Sequence, residues 1–155
     1  MQRYYLIDLP NVPGSGSRPL IPVSVQSSKL LRANVERFAR YFLREMHTGG
    51  IQFEAAETEA SQGYVPYKAY LFACEGNFVG AACFRFRDDQ DVVVPWLFDW
   101  LWIHPFCRRK GVLSQSWSEI NAQVGKFRLA QPVSLHMQNF LGKVGARRPW
   151  GQVFQ

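Results

Sequence analysis

The stretch that most restricts the fold is the run Val92-Val93-Val94-Pro95-Trp96-Leu97-Phe98-Asp99-Trp100-Leu101-Trp102-Ile103. It is apolar on both alternating faces, as expected of a strand in a sheet covered from both sides. The run stops at Pro105 and turns through Arg108, Arg109 and Lys110 to Gly111. Helical periodicity follows, with Leu113, Trp117, Ile120, Val124 and Phe127 on one face and Ser114, Ser116, Ser118 and Gln123 away from it. A helix entered directly from such a turn offers free N–H groups and a positive end beside three cations. Gly111 lets the backbone approach an anion closely, so the turn suits a pyrophosphate. Neither a Walker sequence nor G-x-G-x-x-G is present.

The rest of the chain reads as alternating segments. Residues 2 to 9 are expected to form a first strand, followed by a loop rich in Pro, Gly and Ser through Pro19. A helix capped by Ser27 or Ser28 carries Leu31, Val35, Phe38, Phe42 and Met46 on one face and ends at Gly49-Gly50, with His47 near its end. Its other side holds Arg37, Arg40 and Arg44, read first as a solvated face. Residues 51 to 66 are a weak helix or a loop. Tyr67 to Glu75 and Phe78 to Arg87 form an antiparallel hairpin about Gly76-Asn77. After Gln131-Pro132, a strand is expected at Val133 to Met137 and a short helix at Asn139 to Val144.

At 155 residues, 47% of them hydrophobic, the chain suits one domain spanning residues 1–155. Cys74, Cys83 and Cys107 are odd in number and far apart, which fits neither a disulfide framework nor a C-x-x-C metal half-site, so no metal is expected. No apolar run is long enough to cross a bilayer, and the opening segment breaks at Asp8 and Pro10, so a cytoplasmic protein without a membrane partner is expected. A net charge of +6 suits an anionic ligand but does not choose among a nucleotide cofactor, a nucleic acid and an acidic protein.

From Ile103-His104-Pro105 through Arg108 and Gly111, together with the order of elements over residues 67 to 146, the chain resembles the GNAT superfamily of acyl-CoA-dependent N-acyltransferases. The family signature is Arg or Gln, two residues, Gly, one residue, then Gly or Ala. Arg108 and Gly111 match it, while Leu113 stands where Gly or Ala is usual. The resemblance implies an α/β (α+β) fold with a mixed, mostly antiparallel central sheet flanked by helices and a splayed strand pair forming the acyl-CoA cleft. It implies that pantetheine pairs with the main chain of Leu101, Trp102 and Ile103. The pyrophosphate would lie on the amides from Arg109 through Lys110, Gly111, Val112 and Leu113 to Ser114, with the Arg108 and Lys110 side chains reinforcing it. Asn139 completes the cofactor set, and acetyl-CoA or another acyl-CoA is the implied co-substrate.

Acyl transfer to an amine needs a base and a donor for the oxyanion. Asp99, nine residues before Arg108, is the candidate base or acceptor-binding residue, with an ion pair to Arg85 or Arg87 as its structural alternative. His136, alternating with Ser134 on the expected strand, is a candidate proton shuttle, or a structural residue of that strand. His104 is read as scaffold. Family members often place a Tyr in the last helix to protonate the thiolate; Leu141 occupies that place, leaving Tyr64, Tyr67 and Tyr70 as substitutes. The expected function is transfer of an acetyl group to an amine of a small molecule, protein or RNA-linked substrate. A noncatalytic acyl-CoA-binding module and a nucleic-acid binder using the arginine stripe with Arg147 and Arg148 are the alternatives. No motif names the acceptor or the oligomeric state.

Overall fold

A computed structural model describes residues 9–12, 18–47, 53–87, 93–130 and 135–143. The helix expected early in the chain is α1, Lys29–Met46. Ser28 caps it by accepting the Leu31 amide, and His47 closes it in the left-handed conformation at φ 53° with its N–H on Leu43 O. Val35, Phe38 and Ala39 on its apolar side are buried. A fully buried Phe or Val contributes about 1.5–3 kcal/mol, enough to seat the helix on a sheet.

That sheet has five strands in the order β1 (Leu20–Val23), β2 (Tyr67–Cys74), β3 (Asn77–Phe86), β4 (Trp96–Ile103) and β5 (Arg128–Leu129). The first three pairings are antiparallel and β4–β5 is parallel, joined through α2 (Val112–Val124). The β2–β3 hairpin turns at Glu75 and Gly76, both at positive φ, one residue earlier than the sequence suggests. This is the expected mixed, mostly antiparallel sheet flanked by helices.

Both faces of the sheet are covered. On one, α1 packs with Tyr67, Ala69 and Leu71 of β2, Cys83 of β3 and Trp100 and Trp102 of β4. On the other, Leu113, Trp117 and Ile120 of α2 and Leu141 of α3 (Leu135–Lys143) meet Tyr70, Phe84, Phe98 and Ile103. Trp100 and Trp102 therefore serve the core on one face, and Trp117 with Trp96 on the other. Ser116, expected to point away from the core, is buried, and its hydroxyl has no partner among the described residues.

Three expectations are revised. Strand β1 was not foreseen: Pro19 and Pro22 make the segment look like loop, but Pro22 lies on an edge strand, where a missing N–H costs no ladder bond. Residues 2–8 of the first strand expected at residues 2 to 9 lie outside the described residues. The strand expected at Val133 to Met137 is contradicted over residues 135–137, which begin α3. Met137, Phe140 and Leu141 follow a three- and four-residue step that serves a helix, while β5 is too short to display any alternation. His136 accordingly lies in the first turn of a helix instead of on a strand bordering the cleft.

Candidate functional site

Strand β4 positions the site through two irregularities. The first is a shift in the β3–β4 ladder: Cys83 pairs with Trp100 while Phe84 pairs with Phe98, so Asp99 is the additional residue of a bulge. Its effect shows in the core, where Phe98 faces α2 but Trp100, two residues on, faces α1. The bulge thus sets Asp99 outside the strand's alternation. Its carboxylate lies 3.3 Å from Arg85 Nε, both side chains being mostly buried. Burial pushes the Asp99 pKa up, and the Arg85 and Arg87 charges oppose that shift. The ion pair to Arg85, the structural alternative from sequence, is formed.

The second is the shortness of the described ladder between β4 and β5. Their ladder joins only Leu97 to Arg128 and Phe98 to Leu129, with the Ala130 amide on Phe98 O at 3.0 Å. Beyond Phe98, no strand among the described residues pairs with the outer edge of β4, where the Arg108 side chain reaches Ile103 O. The His104 amide donates to Val79 O at 2.8 Å, which fixes the phase of the β3–β4 ladder. Main-chain groups alternate along a strand, so Leu101 and Ile103 direct theirs away from β3 while Trp102 directs its own toward it.

The chain leaves β4 through a 3-10 turn, Pro105–Cys107, capped by His104, whose Nδ1 accepts the Phe106 amide at 3.2 Å. Burial and the nearby Arg108 charge push the His104 pKa down, which keeps that nitrogen available as an acceptor. His104 is thus the scaffold residue expected. Arg109 then takes φ 61° and Gly111 φ 82° as the chain enters α2. No side chain caps this helix, and its first internal bond runs from the Gln115 amide to Gly111 O at 2.9 Å. The amides of Val112, Leu113 and Ser114 are left without an intrahelical acceptor, at the positive end of the helix. Arg109 and Lys110 are exposed beside them. Leu113, the departure from the signature, packs into the core with Trp117 and Ile120.

The Arg108 side chain is engaged elsewhere than expected. Its Nε donates to Ile103 O at 2.7 Å, and Nη1 and Nη2 donate to the two carboxylate oxygens of Glu45 at 2.7 and 2.5 Å. Glu45 also accepts the Trp102 indole N–H at 2.7 Å. Sequence reasoning missed Glu45. The available signal was its place seven residues after Phe38, on the buried side of α1, where an acid needs a partner.

On the α1 face, Tyr67 OH and Trp100 Nε1 are buried donors without partners among the described residues. Burial pushes the Tyr67 pKa up to about 12 and that of Tyr64 upward, so both hydroxyls keep their protons. Tyr70 lies on the opposite face with its OH 3.0 Å from Gln123 Oε1. Leu141 is buried, and Asn139 is exposed midway along α3.

No family model and no curated protein matches the sequence. The fold is similar to that of a ribosomal-protein-alanine N-acetyltransferase from Brucella melitensis biovar Abortus 2308, with TM-score 0.50 and 13% identity over 81% of this chain and 90% of that one. Among the described residues, no helix is long and apolar enough to cross a membrane. A mostly antiparallel sheet of five described strands, its parallel β4–β5 pair, the helices on both faces and this structural likeness together give the chain a GNAT-like fold.

Proposed function

We propose that this protein is an acyl-CoA-dependent N-acyltransferase, with acetyl the expected acyl group and an amine the acceptor. One observation carries the reading: an uncapped helix N-terminus with a glycine turn stands at the end of a strand whose outer edge has no strand partner past Phe98 among the described residues. A coenzyme A arm asks for both. Its pantetheine amides would pair with the main chain of Leu101 and the N–H of Ile103, whose carbonyl Arg108 holds. Its pyrophosphate would rest on the amides from Arg109 to Ser114, with Lys110 adding charge.

The residues suit direct transfer. The Asp99 carboxylate, held beside the bulge and raised in pKa by burial, would take the proton as the amine nitrogen bonds to the acyl carbon and the carbon–sulfur bond breaks. Coenzyme A leaves as a thiolate; an ordinary thiol pKa near ~8.5 makes that departure tolerable without a tyrosine in place of Leu141. Tyr64 and Tyr67, protonated on the α1 face, are the available hydroxyl donors.

The test is release of free thiol from acetyl-CoA with a panel of amines, including polyamines, lysine peptides and peptides beginning with alanine. Thiol release that requires an amine supports transfer. The second reading, a noncatalytic acyl-CoA-binding module, is favoured by the Arg85–Asp99 ion pair and by Leu141. It expects binding without turnover. A nucleic-acid role draws no such support: in the arginine stripe, Arg40 pairs with Glu36 at 3.6 Å and Arg44 lies over the Tyr41 ring.

A further inference from the structure

We infer that Glu45 is a positioning residue for the loop between β4 and α2. It fixes Arg108 so that loop amides, and not the guanidinium, receive the phosphates. The inference rests on the acyl-CoA reading above and deepens it by adding a residue outside the family signature.

The arrangement uses most of the guanidinium fork. Nε reaches back to Ile103 O, the last carbonyl of β4, and the two terminal nitrogens grip both oxygens of Glu45. Paired, parallel bonds of this kind are charge-assisted and geometrically exacting. Glu45 is itself fixed by the Trp102 indole N–H, and Trp102 is wedged in α1's face, stacked on Phe38 at 5.6 Å and tilted against Tyr41 at 5.2 Å. Arg108 lies 5.8 Å over the same indole. The last turn of α1, the end of β4 and the loop therefore meet at one carboxylate.

Arg108 directly precedes Arg109, a non-glycine residue in the left-handed region at φ 61°. Such a conformation costs about 1–2 kcal/mol and persists where its surroundings hold it. The anchored Arg108 side chain supplies that hold on one side, and Gly111 with the start of α2 supplies it on the other. Without Glu45 the guanidinium is free to swing toward the incoming anion, and the loop relaxes from the shape that aims its amides.

The experiment measures equilibrium binding of CoA and of S-acetylpantetheine, which lacks the pyrophosphate, to wild type, Glu45→Gln, Arg108→Lys and the double variant. Glu45→Gln is nearly isosteric but cannot accept the fork. The expected result is CoA affinity about tenfold weaker in each single variant, from loss of charge-assisted bonds. The double variant should be no weaker than the worse single one, and acetylpantetheine affinity should stay unchanged. Wild-type CoA affinity in a folded Glu45→Gln protein overturns the inference. So does equal loss for CoA and acetylpantetheine, which marks general damage. If Glu45→Gln does not fold, Arg108→Lys decides by the same two ligands. Wild type that binds neither ligand overturns the acyl-CoA reading itself, and this inference with it.

Discussion

A methyl group added at Gly80 would sit 2.3 Å from Trp102 O and 2.9 Å from Ile103 Cα, so only glycine allows β3 and β4 their close approach beneath the proposed cleft. Gly80→Ala should destabilise by about 1–3 kcal/mol, read as a lower chemical-denaturation midpoint, because the obstacle is backbone and cannot rotate away. At Gly111 the constraint is conformational, since little but Gln115 Nε2 lies near an added methyl while φ is 82°. Gly111→Val should cost at least about 1–2 kcal/mol and abolish coenzyme A binding, the second effect exceeding what the lost stability explains. Glu45 has a signature in pH. Its pKa is lowered, first by the Arg108 hydrogen bonds, so its contribution to stability is fully present above the ordinary carboxylate value of 4.5 and is lost as pH falls through the lower folded value. The difference in melting temperature between wild type and Glu45→Gln should hold from neutrality down to about 4.5, shrink below it and be closed below the folded value.

At the scale of elements, β4 organises the site, and it was also the most legible segment. A run apolar on both faces required a covered central strand, and the cations with Gly111 required a tight entry into a helix. The bulge was not legible, because Phe98-Asp99-Trp100 shows no break until a partner strand imposes a register. Nor was the Glu45–Arg108 pair, which joins residues far apart in sequence. Elements whose local pattern conflicts with their tertiary role were missed or misread: β1 contains Pro22 and follows Pro19, and residues 135–137 alternate like a strand but begin α3. The bulge separates two functions that can be tested apart. Asp99 faces Arg85 at the middle of β4, while the proposed phosphate site lies beyond its end. Asp99→Asn should therefore lower acyl transfer by about 100-fold or more, the usual range for a general base, and leave coenzyme A affinity within about twofold. Loss of binding by this variant would show Asp99 to be structural.

Over the whole molecule, two cores on opposite faces of one sheet hold β4 against β3, while past Phe98 no strand among the described residues pairs with its outer edge. Helix α1 seals one face and reaches the cofactor loop through Glu45; α2 and α3 seal the other, and α2 offers its N-terminus to the same loop. The sheet order follows from patterns that the sequence displays. The acceptor is less legible, because no motif in the chain names it. The central claim is that this architecture holds an acyl-CoA, and melting temperature with saturating acetyl-CoA tests it most directly. Ligand at 100 times its dissociation constant adds about 2.7 kcal/mol to the native state, so a rise of several degrees is predicted for both acetyl-CoA and free CoA. An unchanged melting temperature with both at millimolar concentration would contradict it.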